Sequence, residues 1–100
     1  MKLYYVTFPD RSEMERITGN LIEEDIAACV NSFPVGSVYT WEGEKKREGE
    51  VAAFLKTSDG MSEELVEKLE DEHPYDVPEI LEIGVEANES YEGWVEDETE

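Results

Sequence analysis

Basic side chains are scarce in this 100-residue chain: 8 lysines and arginines face 27 aspartates and glutamates, a formal net charge of −19. Phosphate is repelled by such a surface, so nucleic acid is not an expected partner. A single cysteine excludes an internal disulfide. No apolar run approaches the ~20 residues of a membrane span, and the short apolar stretch behind Lys2 lacks the pattern of a signal peptide. Together these point to a cytoplasmic chain with no membrane partner. A single histidine falls short of a multi-ligand zinc pattern. No P-loop, G-x-G-x-x-G or G-x-S-x-G element occurs. Asp76 with Glu79 is a carboxylate pair of the kind used in acid–base catalysis, but so acidic a chain makes such pairs by chance. The sequence is read as non-enzymatic.

What is present is one small domain, 1–100, with a 39% hydrophobic fraction that supports a single core. Acids crowd Glu63, Glu64, Glu67, Glu70, Asp71 and Glu72, and again Glu92, Glu96, Asp97, Glu98 and Glu100. Self-repulsion on this scale opposes compaction at low ionic strength and is screened within about 3 Å at 1 M salt. The surface is read as halophilic, with an ordinary acidic protein and a cation-storage surface as the alternatives.

Leu3 to Phe8 is an apolar first strand stopped by Pro9. Asp10 with Glu13 forms a capping-box pattern, and Met14, Ile17, Leu21 and Ile22 make the apolar stripe of a helix ending near Glu24 or Asp25. A second strand runs from Ala27 to Phe33, is interrupted at Pro34 and Gly36 by a bulge or bend, and resumes from Ser37 to Trp41. Glu42-Gly43-Glu44 is a turn, and the third strand is expected at Glu50 to Thr57, apolar on both faces and so covered on two sides. Lys45-Lys46-Arg47, the only basic cluster, is placed in the solvated turn. A second helix spans Met61 or Ser62 to Glu72 with Leu65, Val66 and Leu69 inward. Ile80 to Val85 is the last strand. Glu89 to Val95 is a short terminal helix, and Glu96 to Glu100 is expected to fray.

The order β-α-β-β-α-β plus a terminal helix is α+β and ferredoxin-like. Right-handed crossovers place both helices on one sheet face. The other face is left bare, and the long aromatic-bearing hairpin becomes a candidate for pairing with another subunit.

Between the second helix and the last strand lies His73-Pro74-Tyr75-Asp76-Val77-Pro78-Glu79. Each proline fixes its own φ and pushes the preceding residue to extended geometry, so the segment is a rigid crossing. It resembles the H-P-Y-[ED]-V-P-E motif of the CutA divalent-cation tolerance family. Thr7-Phe8-Pro9-Asp10, Ala27-Ala28-Cys29-Val30-Asn31, Tyr39-Thr40-Trp41-Glu42-Gly43, Leu55-Lys56-Thr57, and Tyr91 with Trp94 resemble that family in the same order. The resemblance implies a compact homotrimer, PII-like in outline, with neighbours paired through the long hairpin. It implies a role in tolerance of divalent metal ions, with copper as the named ion.

His73 is the leading metal-ligand candidate, since neutral imidazole binds copper, zinc and nickel. Glu72 and Glu79 would add carboxylate oxygens. The alternative is that His73 packs against the proline bend and hydrogen-bonds a backbone carbonyl. Some bacterial family members carry a cysteine before T-x-P-D and a second histidine before H-P; this chain has Val6 and Glu72 there. Cys29 is a soft ligand in principle, or a small buried hydrophobe on its strand. Tyr39, Trp41, Tyr75 and Trp94 are assigned either to subunit contact or to a ligand cleft between subunits. Small-molecule sensing in the PII manner and protein interaction are the alternatives to metal tolerance.

Overall fold

A computed structural model describes residues 1–99; Glu100, the end of the tail expected to fray, lies outside the described residues. Strand β1 (Lys2–Phe8) alternates as its sequence requires. Tyr4, Val6 and Phe8 turn to one side and are buried, while Leu3, Tyr5 and Thr7 face the other.

Helix α1 (Arg11–Glu23) begins at Asp10, whose carboxylate accepts the Glu13 backbone N–H at 2.8 Å. Such a cap contributes about 1 kcal/mol. The reciprocal half of the box is replaced: the Glu13 carboxylate takes the Arg16 guanidinium at 2.6 Å. Met14, Ile17 and Leu21 are buried, but Ile22, expected on the same stripe, is 40% exposed. The helix closes in a Schellman motif: Asp25 N donates to Ile22 O and Ile26 N to Leu21 O, with Asp25 at φ 58.

Strands β2 (Cys29–Trp41) and β3 (Glu44–Thr57) form one long hairpin. Its register is unbroken from Cys29↔Lys56 to Trp41↔Glu44, so the interruption expected at Pro34 and Gly36 is not there. The reason is position: β2 is a sheet edge, where the missing proline N–H can face solvent without loss of a ladder bond. The turn is Glu42-Gly43, both at positive φ (50 and 80), a two-residue connection of the I′ kind whose twist matches the strands. Strand β3 therefore starts at Glu44 rather than Glu50, and Lys45-Lys46-Arg47 lies within the strand, not in the turn.

After a 3-10 turn at Asp59–Met61, α2 (Ser62–Glu72) buries Leu65 and Leu69, with Val66 partly covered. It stops at His73 (φ −68, ψ 136), because Pro74 disfavours a helical residue before it. Strand β4 (Ile80–Gly84) follows, then α3 (Glu89–Glu98). The terminal helix is longer than expected, and 96–99 do not fray. Val95 and Thr99 are buried, and the Thr99 hydroxyl lies 2.7 Å from Val95 O and 2.8 Å from Ser58 Oγ, tying the last turn to the loop before α2.

The sheet order is β2-β3-β1-β4, antiparallel at every pairing, the ferredoxin-like arrangement. Helices α1 and α2 cover one face; Tyr4, Val6, Phe8, Ala53 and Leu55 meet Ile17, Leu21, Leu65 and Leu69 in a single core. Each valine, leucine, isoleucine or phenylalanine among them contributes about 1.5–3 kcal/mol by burial. The opposite face carries Tyr5, Phe33 and Phe54, whose ring centroids stand 5.6 and 5.5 Å apart in sequence across the strands. Beside them Leu81 and Ile83 are 48% and 40% exposed. The second face of β3, expected to be covered, is thus covered only in part within the chain. The distal hairpin projects beyond the core, giving extents of 45 × 23 × 20 Å.

Candidate functional site

The proline-fixed heptad arrives at the end of β1 where Thr7 and Phe8 close the strand. There His73 is buried, with its ring stacked on Phe8 at 5.1 Å and 19°. Its Nε2 is 2.7 Å from Thr7 O. A carbonyl only accepts, so Nε2 carries the proton. Its Nδ1 then accepts the Tyr75 backbone N–H at 3.1 Å. Both ring nitrogens are engaged inside the chain, and burial pulls the imidazole pKa below its ordinary value, against the opposing bond to Thr7 O. The ring is held neutral in one tautomer.

This anchoring turns Tyr75 outward across the sheet end, where its hydroxyl donates to Glu50 Oε2 at 2.6 Å. Burial, then the Glu50 bond, holds the phenol well above its usual range. Tyr39 and Trp41 lie two apart on β2 and so share a face. The Tyr39 hydroxyl donates to Glu48 at 2.7 Å, the main cause of its raised pKa. Tyr39, Trp41 and Tyr75 line one open cavity of about 490 Å³ with Glu50, Asp76 and Glu79. No lysine, arginine or histidine is among its lining residues.

The other sequence candidates fall elsewhere. Glu79 reaches the cavity, its Oε1 3.4 Å from the Thr7 hydroxyl. Glu72 does not line it; its Oε2 is buried without a hydrogen-bond partner. Cys29 is half-buried rather than core, on the bare face at the far end of the sheet, 3.8 Å from Lys56 Nζ. Trp94 joins Tyr91 at 5.7 Å on α3 and is separated from the three cavity aromatics within the chain. Among the described residues no three histidine, cysteine or carboxylate groups converge as a metal-ligand set. Glu50 is the cavity carboxylate that the sequence does not single out, while Asp76 stands out there only as one half of a chance pair with Glu79. Glu50 is placed by the pairing Val35↔Glu50, which only the uninterrupted hairpin register reveals.

Residues 2–98 match the family of the CutA1 divalent ion tolerance protein. The chain belongs to the CutA family. It is 41% identical over 100 residues to the divalent-cation tolerance protein CutA of Pyrococcus horikoshii, covering 99% of this chain and 98% of that one. The crystal structure of the Pyrococcus CutA1 superposes with a TM-score of 0.96 at 40% identity, covering 100% of this chain and 99% of that one. The apo CutA of Nostoc, described as PII-like, gives 0.94 at 38% identity over 100% of this chain and 98% of that one. An Archaeoglobus fulgidus CutA described as periplasmic gives 0.94 at 33% identity, covering 100% of both chains. Against the chloroplastic rice CutA 1 the match is 36% identical over 97 residues, and this chain spans 55% of that relative's length. The family description names ion tolerance and no reaction. No helix among the described residues is long and apolar enough to cross a membrane.

Proposed function

We propose that this CutA chain works as a non-catalytic homotrimer in divalent-cation tolerance, with the aromatic, acidic cleft beneath the proline heptad as its cation-facing site. The observation that carries the reading is the cleft lining: Glu50, Asp76 and Glu79 with no basic residue among them. The trimer is supported by the bare sheet face, where Phe33, Leu81 and Ile83 remain exposed beside Tyr5 and Phe54. Burying that face against copies of itself adds core area that a chain of this size lacks. A divalent ion would meet the chain with its water shell kept, through carboxylate oxygens with Glu79 foremost, since no three ligands converge among the described residues of one chain. Copper does not fit the ligand set read from the sequence within one chain. His73 would have to give up the Tyr75 N–H or its own proton to Thr7 O, Glu72 lies outside the cleft, and Cys29 sits at the far end of the sheet.

Calorimetric titration with copper tests this assignment. The isotherm is expected to be unchanged in a folded His73→Asn variant and weakened in Glu79→Gln. The reverse pattern would return His73 to the metal site. Light scattering should give a mass three times the 11.4 kDa chain. The cytoplasmic placement is part of the proposal, and cell fractionation separates it from the periplasmic description of the Archaeoglobus neighbour.

A second reading, small-molecule sensing in the PII manner, is favoured by the cavity itself. Its volume of about 490 Å³ falls in the range of small-ligand sites. A ligand that raises the melting temperature by mass action without metal is its test.

A further inference from the structure

We propose that the cleft binds an organic cation of the quaternary or methylated ammonium class. The inference rests on reading the cleft as a small-molecule site and names the chemistry it accepts. Three aromatic side chains, Tyr39, Trp41 and Tyr75, line one cavity with three carboxylates. In the single chain Tyr39 and Trp41 are 39% and 41% exposed; they share the sheet face of Phe33, so in an assembly the cleft lies along the subunit contact, with these rings as the aromatic surface the chain itself leaves uncovered. Each tyrosine hydroxyl donates to a carboxylate, Tyr39 to Glu48 and Tyr75 to Glu50. That polarisation increases electron density on the rings, and an aromatic face attracts a cation through its quadrupole. With no basic group in the lining, phosphate- or carboxylate-bearing ligands meet only repulsion.

The cavity distinguishes an organic cation from a metal ion. A divalent ion demands several converging oxygen or nitrogen ligands, and no such set of three forms among the described residues. Glu50 already holds the Tyr75 hydroxyl at 2.6 Å. A methylated ammonium needs no inner-sphere ligand. It sheds its weak hydration easily and offers methyl groups to ring faces, the use for which aromatic cages are built. The volume of about 490 Å³ admits such a group with a short substituent.

The test is titration of the intact protein with tetramethylammonium chloride, followed by amide and indole NMR shifts, with sodium chloride at equal ionic strength as the reference. Saturable shifts are expected at the Trp41 indole and the Tyr75 amide, and none at Trp94. Trp41→Leu should weaken binding about fivefold or more, and Glu79→Gln, which leaves all three rings in place, about two- to fivefold. Light scattering on each variant checks that the assembly is kept. Absence of saturable shifts, or shifts that survive Trp41→Leu, overturns the proposal. A parallel titration with adenosine triphosphate separates the two readings. Binding there without tetramethylammonium binding leaves a small-molecule cleft of the wrong ligand class; silence in both arms removes the small-molecule reading as well.

Discussion

Nε2 of His73 stands 2.7 Å from the carbonyl oxygen of Thr7, and this bond fastens the heptad to the end of β1. Both residues are buried, and the imidazole also stacks on Phe8. Replacing His73 by alanine leaves the Thr7 carbonyl without its partner and opens a gap beside Phe8. The expected loss is about 3 kcal/mol, read as a lower midpoint in denaturant. His73→Asn keeps a donor near Thr7 O and should recover part of it. Equal stability of wild type and His73→Ala would show that the bond does not anchor the heptad.

The same burial makes stability depend on pH. The folded-state pKa of His73 lies below the unfolded value of about 6.5. Above about pH 6.5 neither state binds the proton, and the neutral ring's contribution is fully present. As pH falls from there towards the depressed folded value, only the unfolded chain is protonated. Stability is lost with a slope of up to about 1.4 kcal/mol per pH unit, and the slope vanishes once the folded ring is protonated too. The comparison is between wild type and His73→Gln, since carboxylate titrations are shared by both. The wild type should fall more steeply below pH 6.5; parallel curves would remove this linkage.

Two non-glycine residues sit in left-handed backbone, Asp25 at φ 58 and Glu42 at φ 50. Asp25 occupies the left-handed position of the Schellman motif that ends α1, and Glu42 the first position of the I′ turn. Each site favours glycine or asparagine on steric grounds. Asp25→Gly and Glu42→Asn are each expected to stabilise the fold by about 0.5–1 kcal/mol, additively, since the sites share no partner. Gly43→Ala, at φ 80, should destabilise by a similar amount. Denaturant midpoints at constant m-value check all three.

How much of this was readable in the sequence depended on how local the cause was. The Asp10 cap, the stripe Met14-Ile17-Leu21 and the stop at Pro74 are written within a few residues, and the fold order followed from them. Pro34 reads as a break in the sequence because its place on an edge strand depends on the order of the whole sheet. Glu44 to Gly49 showed no strand pattern because it is polar on both faces and is held as a strand by its register with β2. The terminal helix ran on past Val95 because Thr99 bonds to Ser58 across the chain. In the cleft, Tyr39, Trp41, Tyr75 and Glu79 stood out by type. Glu50 did not, because one acid among 27 carries no signal until Tyr75 is placed against it.

The acidic surface predicts a strong salt response. A net charge of −19 on one chain, tripled in a trimer, opposes both folding and assembly at low ionic strength. Raising salt from about 0.01 M to 1 M shortens the screening length from about 30 Å to about 3 Å. The melting temperature should climb through that range with potassium chloride, and sodium chloride should act alike. A flat response would rule out the halophilic reading.

Leu81 and Ile83 decide whether the bare sheet face is the subunit contact. In the single chain they are 48% and 40% exposed, and they flank Tyr5 and Leu3 in the β1–β4 register. Glutamate at both positions would alter an isolated chain little, since exposed substitutions usually lie within about 0.5 kcal/mol. In an assembly packed over this face the same pair would bury unpaired charge, at a cost of about 3–5 kcal/mol for each site. Leu81→Glu/Ile83→Glu is therefore expected to run as a folded monomer or as an unfolded chain in light scattering and circular dichroism, with salt unable to restore the full mass. A double variant that remains trimeric and melts with the wild type would place the contact elsewhere, on the protruding hairpin alone.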